Sequence, residues 1–335
     1  MLNIEDVRRK SIRGVVSYAA RTIALQAIGF VATVLLGYFL TPADFGIYFI
    51  VTSVVGLLTF LSDVGLAAAL VQKKEQPTVE ELRTTFTVQQ TLALAIFGLT
   101  IVLTPVWKMQ NGLHGDGLWL LYALGFSFVM ASFKTIPSIL LERKLEFSKL
   151  VFPQILENIV FYSIAVALAS RGFGVMSYTY AVVARSIVGV VSIYMIQSWP
   201  IGLALSKQAL KGLLKYGMKF QLNDFLARIK DDLFVVVLAR FLDPSQMGYV
   251  SWAKRWSLFP YQFSVNSIMS VTFPTFSRLQ DNPEKLKRAI EKSMYFITLV
   301  IFPILVGLSV FAFPMTELIP KYAKWQPAIP SLYFF

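Results

Sequence analysis

Nine stretches of this 335-residue chain are each long and apolar enough to cross a bilayer as a helix: 15–40, 45–71, 84–106, 118–141, 151–170, 175–197, 218–242, 246–275 and 290–313. Spanning the hydrocarbon core takes about 20 apolar residues. In lipid, each backbone N–H and C=O must be satisfied within the spanning structure, so a series of such stretches folds as a helix bundle. The expected fold class is therefore all-α, a polytopic transmembrane bundle. Composition agrees, since only 15% of residues are charged against about 25% in an average soluble domain. A tenth apolar stretch begins near Pro327 and stops at Phe335. It is half a span at about 1.5 Å of rise per residue. The chain thus reads as part of a protein with at least twelve spans.

Several function classes fall away. The chain has no cysteine, which excludes disulfides, thiolate metal sites and cysteine nucleophiles. Its single histidine, His114, lies in the loop "NGLHGDG" and cannot build a multi-histidine metal site. No P-loop, HExxH or GxSxG pattern is present. Neither an enzyme nor a cofactor is expected. The basic start "VRRKSIRG" runs into an apolar stretch too long for a cleavable signal peptide. It reads as a cytoplasmic anchor rather than a twin-arginine export signal.

Lysine and arginine set the orientation. Of 31 basic residues, nineteen fall on one side: Arg8, Arg9, Lys10 and Arg13 at the start, then the loops or edges bearing Lys73, Arg143, Lys207 and Lys285. The opposite side holds Lys108, Arg171, Lys321 and Lys324. Positive loops stay in the cytoplasm, so the N-terminus is placed there, in a bacterial-type inner membrane.

The chain also writes one turn twice. "FLTPADFG" contains Phe39, Leu40, Pro42 and Gly46, and "FLDPSQMG" contains Phe241, Leu242, Pro244 and Gly248, at an offset of 202 residues. Each joins the first two helices of a set of six. An even number of intervening helices gives both sets the same topology, which predicts two six-helix lobes, 1–200 and 201–335, the second incomplete. Parallel repeats of this kind, related by a pseudo-two-fold axis along the membrane normal, place a transported substrate between the halves near the midplane. The same offset pairs Thr22 with Asp224, Gln26 with Arg228, and Thr52 with Lys254.

Charges inside spans are expensive and face a cavity or a partner. The seventh span carries Gln221, Asp224, Arg228, Asp231 and Asp232 along one face, and the eighth carries Arg255, Gln262 and Asn266 with Lys254 beside them. The first span offers Tyr18, Thr22, Gln26, Gly29 and Thr33 on one face, the second Thr52, Gly56 and Asp63. Four polar faces can enclose a water-filled cleft. Eight basic residues against five acidic ones lie inside spans, an excess that favours an anionic substrate. The structural alternatives are that Asp224, Arg228 and Asp232 neutralise one another at i,i+4 spacing, that Arg185 only pairs with Glu157, and that Arg21 and Lys134 snorkel to the cytoplasmic face. The expected cleft residues are Arg21, Gln26, Arg228, Lys254, Arg255, Gln262 and Asn266, with Asp63 and Asp231 as candidate ion-coupling acids. Gly29, Thr33 and Gly37 recur every fourth residue and read as a packing stripe.

Three stretches resemble the polysaccharide and oligosaccharide flippases of the multidrug/oligosaccharidyl-lipid/polysaccharide exporter superfamily. They are "LGYFLTPADFGIYFIVTSVVGLLTFLSDVGLAAALVQ" from Leu36 to Gln72, "IPSILLERKLEFSKLVFPQILEN" from Ile136 to Asn158, and "KWQPAIPSL" from Lys324 to Leu332. The resemblance implies twelve to fourteen helices in two lobes. It implies translocation of an undecaprenyl-diphosphate-linked glycan to the outer leaflet by alternating access. It further implies that Arg21, Arg228, Lys254 and Arg255 meet the diphosphate. The partners are then the lipid-linked oligosaccharide, the bilayer and other polysaccharide-assembly membrane proteins, with no nucleic acid. The competing classes are a drug/cation antiporter of the same superfamily, a membrane-embedded glycan polymerase or ligase, and a non-transporting scaffold.

Overall fold

A computed structural model describes the backbone of residues 24–62, 65–107 and 115–335, and the side chains of all these except 59–62, 107, 215–228, 262–271, 273–275, 277 and 278. Every regular element among the described residues is helical. The α-helices are α1 (Ala24–Phe39), α2 (Pro42–Ser62), α3 (Leu66–Gln72), α4 (Val79–Val102), α5 (Thr104–Trp107), α6 (Asp116–Arg143), α7 (Phe147–Ala169), α8 (Met176–Ile196), α9 (Lys207–Leu238), α10 (Pro244–Arg278), α11 (Pro283–Leu318) and α12 (Ile329–Phe334), the last preceded by a 3₁₀ turn at Ala323–Ala328. Helices α4, α6, α7, α8 and α11 have the length and hydropathy of membrane spans. At 32 and 35 residues, α9 and α10 are also long enough to cross.

Two expected spans are interrupted. The stretch 45–71 is divided between α2 and α3, and Gly65 takes φ 76° at the start of α3. That left-handed conformation carries no Cβ penalty only in glycine. The stretch 84–106 ends as α4 at Val102 and resumes as the single turn α5.

The turns explain why the chain reverses where it does. At the end of α6, Glu146 N–H donates to Leu141 C=O across 2.9 Å, and Leu145 takes φ 56°. The end of α7 repeats this pattern, with Phe173 N–H on Leu168 C=O and Gly172 at φ 85°. This six-to-one bond with a left-handed residue satisfies the last carbonyls of a helix and turns the chain back. Helix α8 then packs along both α7 and α6, which touch each other only slightly.

By packing, the chain divides into two compact units, Met1–Met247 and Gly248–Phe335. The first has a core of Leu66, Leu70, Phe86, Ile136, Ile139, Trp199 and Leu213, drawn from α3, α4, α6, α9 and the α8–α9 connection. That connection is extended. Its Ala204 and Ser206 N–H groups donate to the Thr87 and Thr84 hydroxyls of α4, at 3.1 and 3.2 Å. The second unit is organised by aromatic rings. Trp252 of α10 stacks on Trp325 at 5.5 Å between centroids, Tyr249 meets Trp325 edge-on, and both indoles are buried. Helix α11 is almost wholly exposed, as a lipid-facing helix would be.

Candidate functional site

The clearest ionic constellation among the described residues lies in the first unit, on α6, α7 and α8. Glu157 of α7 is 7% exposed. Lys134 of α6 donates to its Oε1 at 2.8 Å, and Arg185 of α8 brings Nε to 3.6 Å from its Oε2. Two cations therefore share one carboxylate near the middle of three spans. The Arg185 guanidinium also lies over the Phe161 ring, 5.7 Å from its centroid. Glycine at position 189 makes room for this group: a methyl there would collide with the Glu157 carboxylate. The side chains face a cavity of about 300 Å³ that is also lined by Ser138, Gln154 and Asn158.

The expected pairing of Arg185 with Glu157 is present. Lys134, for which snorkelling was the structural alternative, brings its ammonium to 2.8 Å from the same carboxylate. The reason is energetic. A lone buried carboxylate in a span is costly, and the short reach from α6 to α7 gives Lys134 a strong partner that the interface lacks. Sequence spacing could not reveal this, because the three residues come from three different helices.

The expected cleft residues are distributed as follows. Gln26 is half-buried on α1, in the first unit. Lys254 and Arg255 are half-buried on α10, in the second. Asp231 is exposed on α9. Arg21 and Asp63 lie outside the described residues, as do the side chains of Arg228, Gln262 and Asn266. Where the second and seventh spans can be compared, their polar faces meet: a methyl on Gly56 of α2 would stand 2.5 Å from Asp232 Oδ2 of α9. Thr52 turns inward on its own helix and donates to Tyr48 C=O at 2.8 Å. Thr33 likewise donates to Gly29 C=O at 2.6 Å, and Gly29 lies against the Tyr162 ring. The Gly29–Thr33 stripe is thus packing.

Arg143 is a residue whose role spacing did not disclose. Its guanidinium donates to the carbonyls of Leu70, Lys73 and Glu75 at 2.6, 2.6 and 2.7 Å. It thereby caps the end of α3, where orphan carbonyls and the negative end of the helix dipole attract a cation. Beside it, Lys73 and Glu81 pair at 2.7 Å, and Thr78 and Glu81 form a capping box that opens α4. A larger cavity of about 620 Å³ lies here, lined in part by Gln72, Lys73, Glu80, Glu81 and Gln208.

These features define a polytopic helical membrane protein with charges held at mid-depth, the class to which transporters belong. Solved structures agree on the fold. A multidrug transporter of the MATE family and MOP superfamily matches in its inward-facing conformation with a TM-score of 0.58 at 15% identity, over 94% of this chain and 78% of that one. An outward-facing MATE structure matches at 0.56 and 16% identity, over 94% and 76%. Residues 35–330 match the family described as "Polysaccharide biosynthesis protein", and the chain belongs to that family. Among curated relatives, the succinoglycan biosynthesis transport protein ExoT of Rhizobium meliloti is 25% identical over 304 residues, 90% of this chain and 61% of that protein. The lipopolysaccharide biosynthesis protein WzxC of Escherichia coli is 25% identical over 339 residues, 98% of this chain and 66% of that protein. The chain thus spans about two thirds of the length of these relatives.

Proposed function

We propose that the protein is a flippase. It carries an undecaprenyl-diphosphate-linked oligosaccharide from the cytoplasmic to the outer leaflet of a bacterial-type inner membrane, for synthesis of cell-surface polysaccharide. The observation that carries this reading is the family match together with basic residues at mid-span in a chain of low charge. The named activities of the relatives, transport of succinoglycan and synthesis of lipopolysaccharide, point the same way. The diphosphate is the compact, strongly anionic part of such a substrate. Arg21, Arg228, Lys254 and Arg255 are proposed to meet it, with Gln26, Gln262 and Asn266 contacting sugar hydroxyls. Asp63 and Asp231 are the proposed ion-coupling acids. The polyprenyl tail stays in lipid while the two lobes rock between inward-facing and outward-facing states. The N-terminus lies in the cytoplasm. No covalent step is involved, so neither enzyme activity nor a cofactor is needed.

Guanidinium groups suit this task because their planar fork binds phosphate oxygens in pairs. Loss of one charge-assisted contact costs roughly 1.5–3 kcal/mol, or about 10–150-fold in affinity. In a full-length version of the protein, Arg255→Ala should reach the membrane at normal levels and fail to support glycan export, with Arg255→Lys intermediate. Normal export by well-expressed Arg255→Ala and Lys254→Ala proteins, singly and combined, would overturn the anionic-substrate mechanism and favour a drug or cation antiporter.

A further inference from the structure

The Lys134, Glu157 and Arg185 group has one more positive charge than its members can neutralise. Glu157 is buried and carries one negative charge at most, and it is approached by two cations from two helices. Lys134 takes the short contact, at 2.8 Å. Arg185 takes the longer one, through Nε, at 3.6 Å. Among the described residues, its remaining interaction is with the Phe161 ring, whose centroid is 5.7 Å from Cζ, and the side chain is 43% exposed. The terminal N–H fork of Arg185 is therefore available to the cavity of about 300 Å³ that the residue lines. The Asn158 amide is already committed, donating to Gln154 C=O at 2.8 Å.

A surplus cation near the centre of a span is costly unless an anion or water compensates it. Among the described residues that line the cavity, Glu157 is the one acid. A volume of about 300 Å³ is at the small end of ligand pockets and suits one charged group rather than a whole oligosaccharide. The fork geometry of arginine selects planar or tetrahedral oxyanions, carboxylate or phosphate, over halide.

We infer that Arg185 is the anion-contacting residue of an oxyanion subsite in the first unit. Glu157 and Phe161 orient its guanidinium, and Lys134 supplies the surplus charge by occupying Glu157. Its residues all belong to the first unit, whereas Lys254 and Arg255 belong to the second. It takes the phosphate of a diphosphate or the carboxylate of an acidic sugar. The identity of that ligand as substrate rests on the flippase reading; the presence of the subsite does not.

The test is binding to the purified full-length protein, measured calorimetrically with inorganic diphosphate in one arm and glucuronate in the other. Thermal unfolding of each variant checks folding. Wild type should bind at least one of the two, and the arm that responds identifies the source of the oxyanion. Arg185→Gln should weaken that binding about 10–150-fold, and Arg185→Lys should lose less. Lys134→Gln should also weaken it, because Glu157 would then neutralise Arg185 alone. The double variant Lys134→Gln/Glu157→Gln restores a single uncompensated cation, and binding should return. No binding by wild type in either arm would overturn the proposal. So would unchanged affinity in a folded Arg185→Gln protein, or failure of the folded double variant to recover. If Arg185→Gln binds normally while Arg255→Ala loses export, the subsite is wrong and the flippase reading stands. If Arg185→Gln loses binding while Arg255→Ala and Lys254→Ala export normally, the subsite stands and the anionic-cleft mechanism does not.

Discussion

The turn that opens α2 and the turn that opens α10 solve the same problem with exchanged chemistry. In the first, Thr41 is the cap: Asp44 N–H donates to its hydroxyl at 3.2 Å, and the Asp44 carboxylate receives the Thr41 N–H at 2.8 Å. In the second, Asp243 is the cap: Gln246 N–H donates to its carboxylate at 2.9 Å, and the Gln246 side-chain oxygen receives the Asp243 N–H at 3.0 Å. Both are reciprocal capping boxes with proline in the first helical position, and each puts one carboxylate at the positive end of a helix. The acid has moved from the third helical position to the cap, and the hydrogen-bond pattern has stayed. What the two turns share is thus a backbone geometry, with Pro42 and Pro244 in the same place, rather than a side chain. The residues on either side of the turns diverge in another way. The first copy has neutral Thr22, Gln26 and Thr52 where the second has Asp224, Arg228 and Lys254. The caps bear on stability alone, while the mid-span positions of the second copy bear the charge on which the proposed chemistry depends.

Exchanging residues between the copies should separate these two roles. The largest effect is expected from Arg228→Gln and Lys254→Thr, which give the second copy the residues of the first. In the full-length protein, glycan export should fall with expression maintained, and a fully active double variant would break the assignment of chemistry to the second copy. Next in size is Glu157→Ala. Removing the shared carboxylate leaves Lys134 and Arg185 unpaired at mid-depth, and breaking a buried pair costs about 3–5 kcal/mol. Thermal unfolding in detergent should show a markedly lower midpoint; an unchanged midpoint would mean that the three side chains are not held together. Gly189→Ala crowds the same carboxylate and should destabilise by about 1–3 kcal/mol, read in the same way. The capping variants Thr41→Ala and Asp243→Ala should each cost about 1 kcal/mol. The smallest effect should come from installing the second box in the first turn, with Thr41→Asp and Asp44→Gln together. A large loss there would mean that Asp44 is needed for its contact with Gly174 rather than for capping.

Much of the fold was legible because apolar run length is a strong signal in lipid. The run 118–141 is α6 at Asp116–Arg143, and 175–197 is α8 at Met176–Ile196. The break at Gly65 was not legible. A glycine inside an apolar run is ordinary, and only the left-handed φ of 76° at Gly65 marks it as a joint. The Glu157–Arg185 pair could be anticipated, since Glu157 is an isolated acid in its span. The turn of Lys134 towards it could not, because this depends on how α6 and α7 are rotated about their axes. The proposed cleft residues Arg21 and Arg228 were read from their place in apolar runs, and their side chains lie outside those described.

The central claim is movement of an intact lipid-linked glycan across a bilayer. The most direct measurement places the purified full-length protein in proteoliposomes with an undecaprenyl-diphosphate oligosaccharide loaded in one leaflet, and follows its access to a membrane-impermeant glycosidase on the other side. The account predicts that access appears at a rate proportional to protein content, that the substrate recovered without glycosidase is chemically unchanged, and that Lys254→Ala/Arg255→Ala protein abolishes it. Access no faster than in protein-free vesicles, or recovery of a polymerised or transferred glycan, would contradict it.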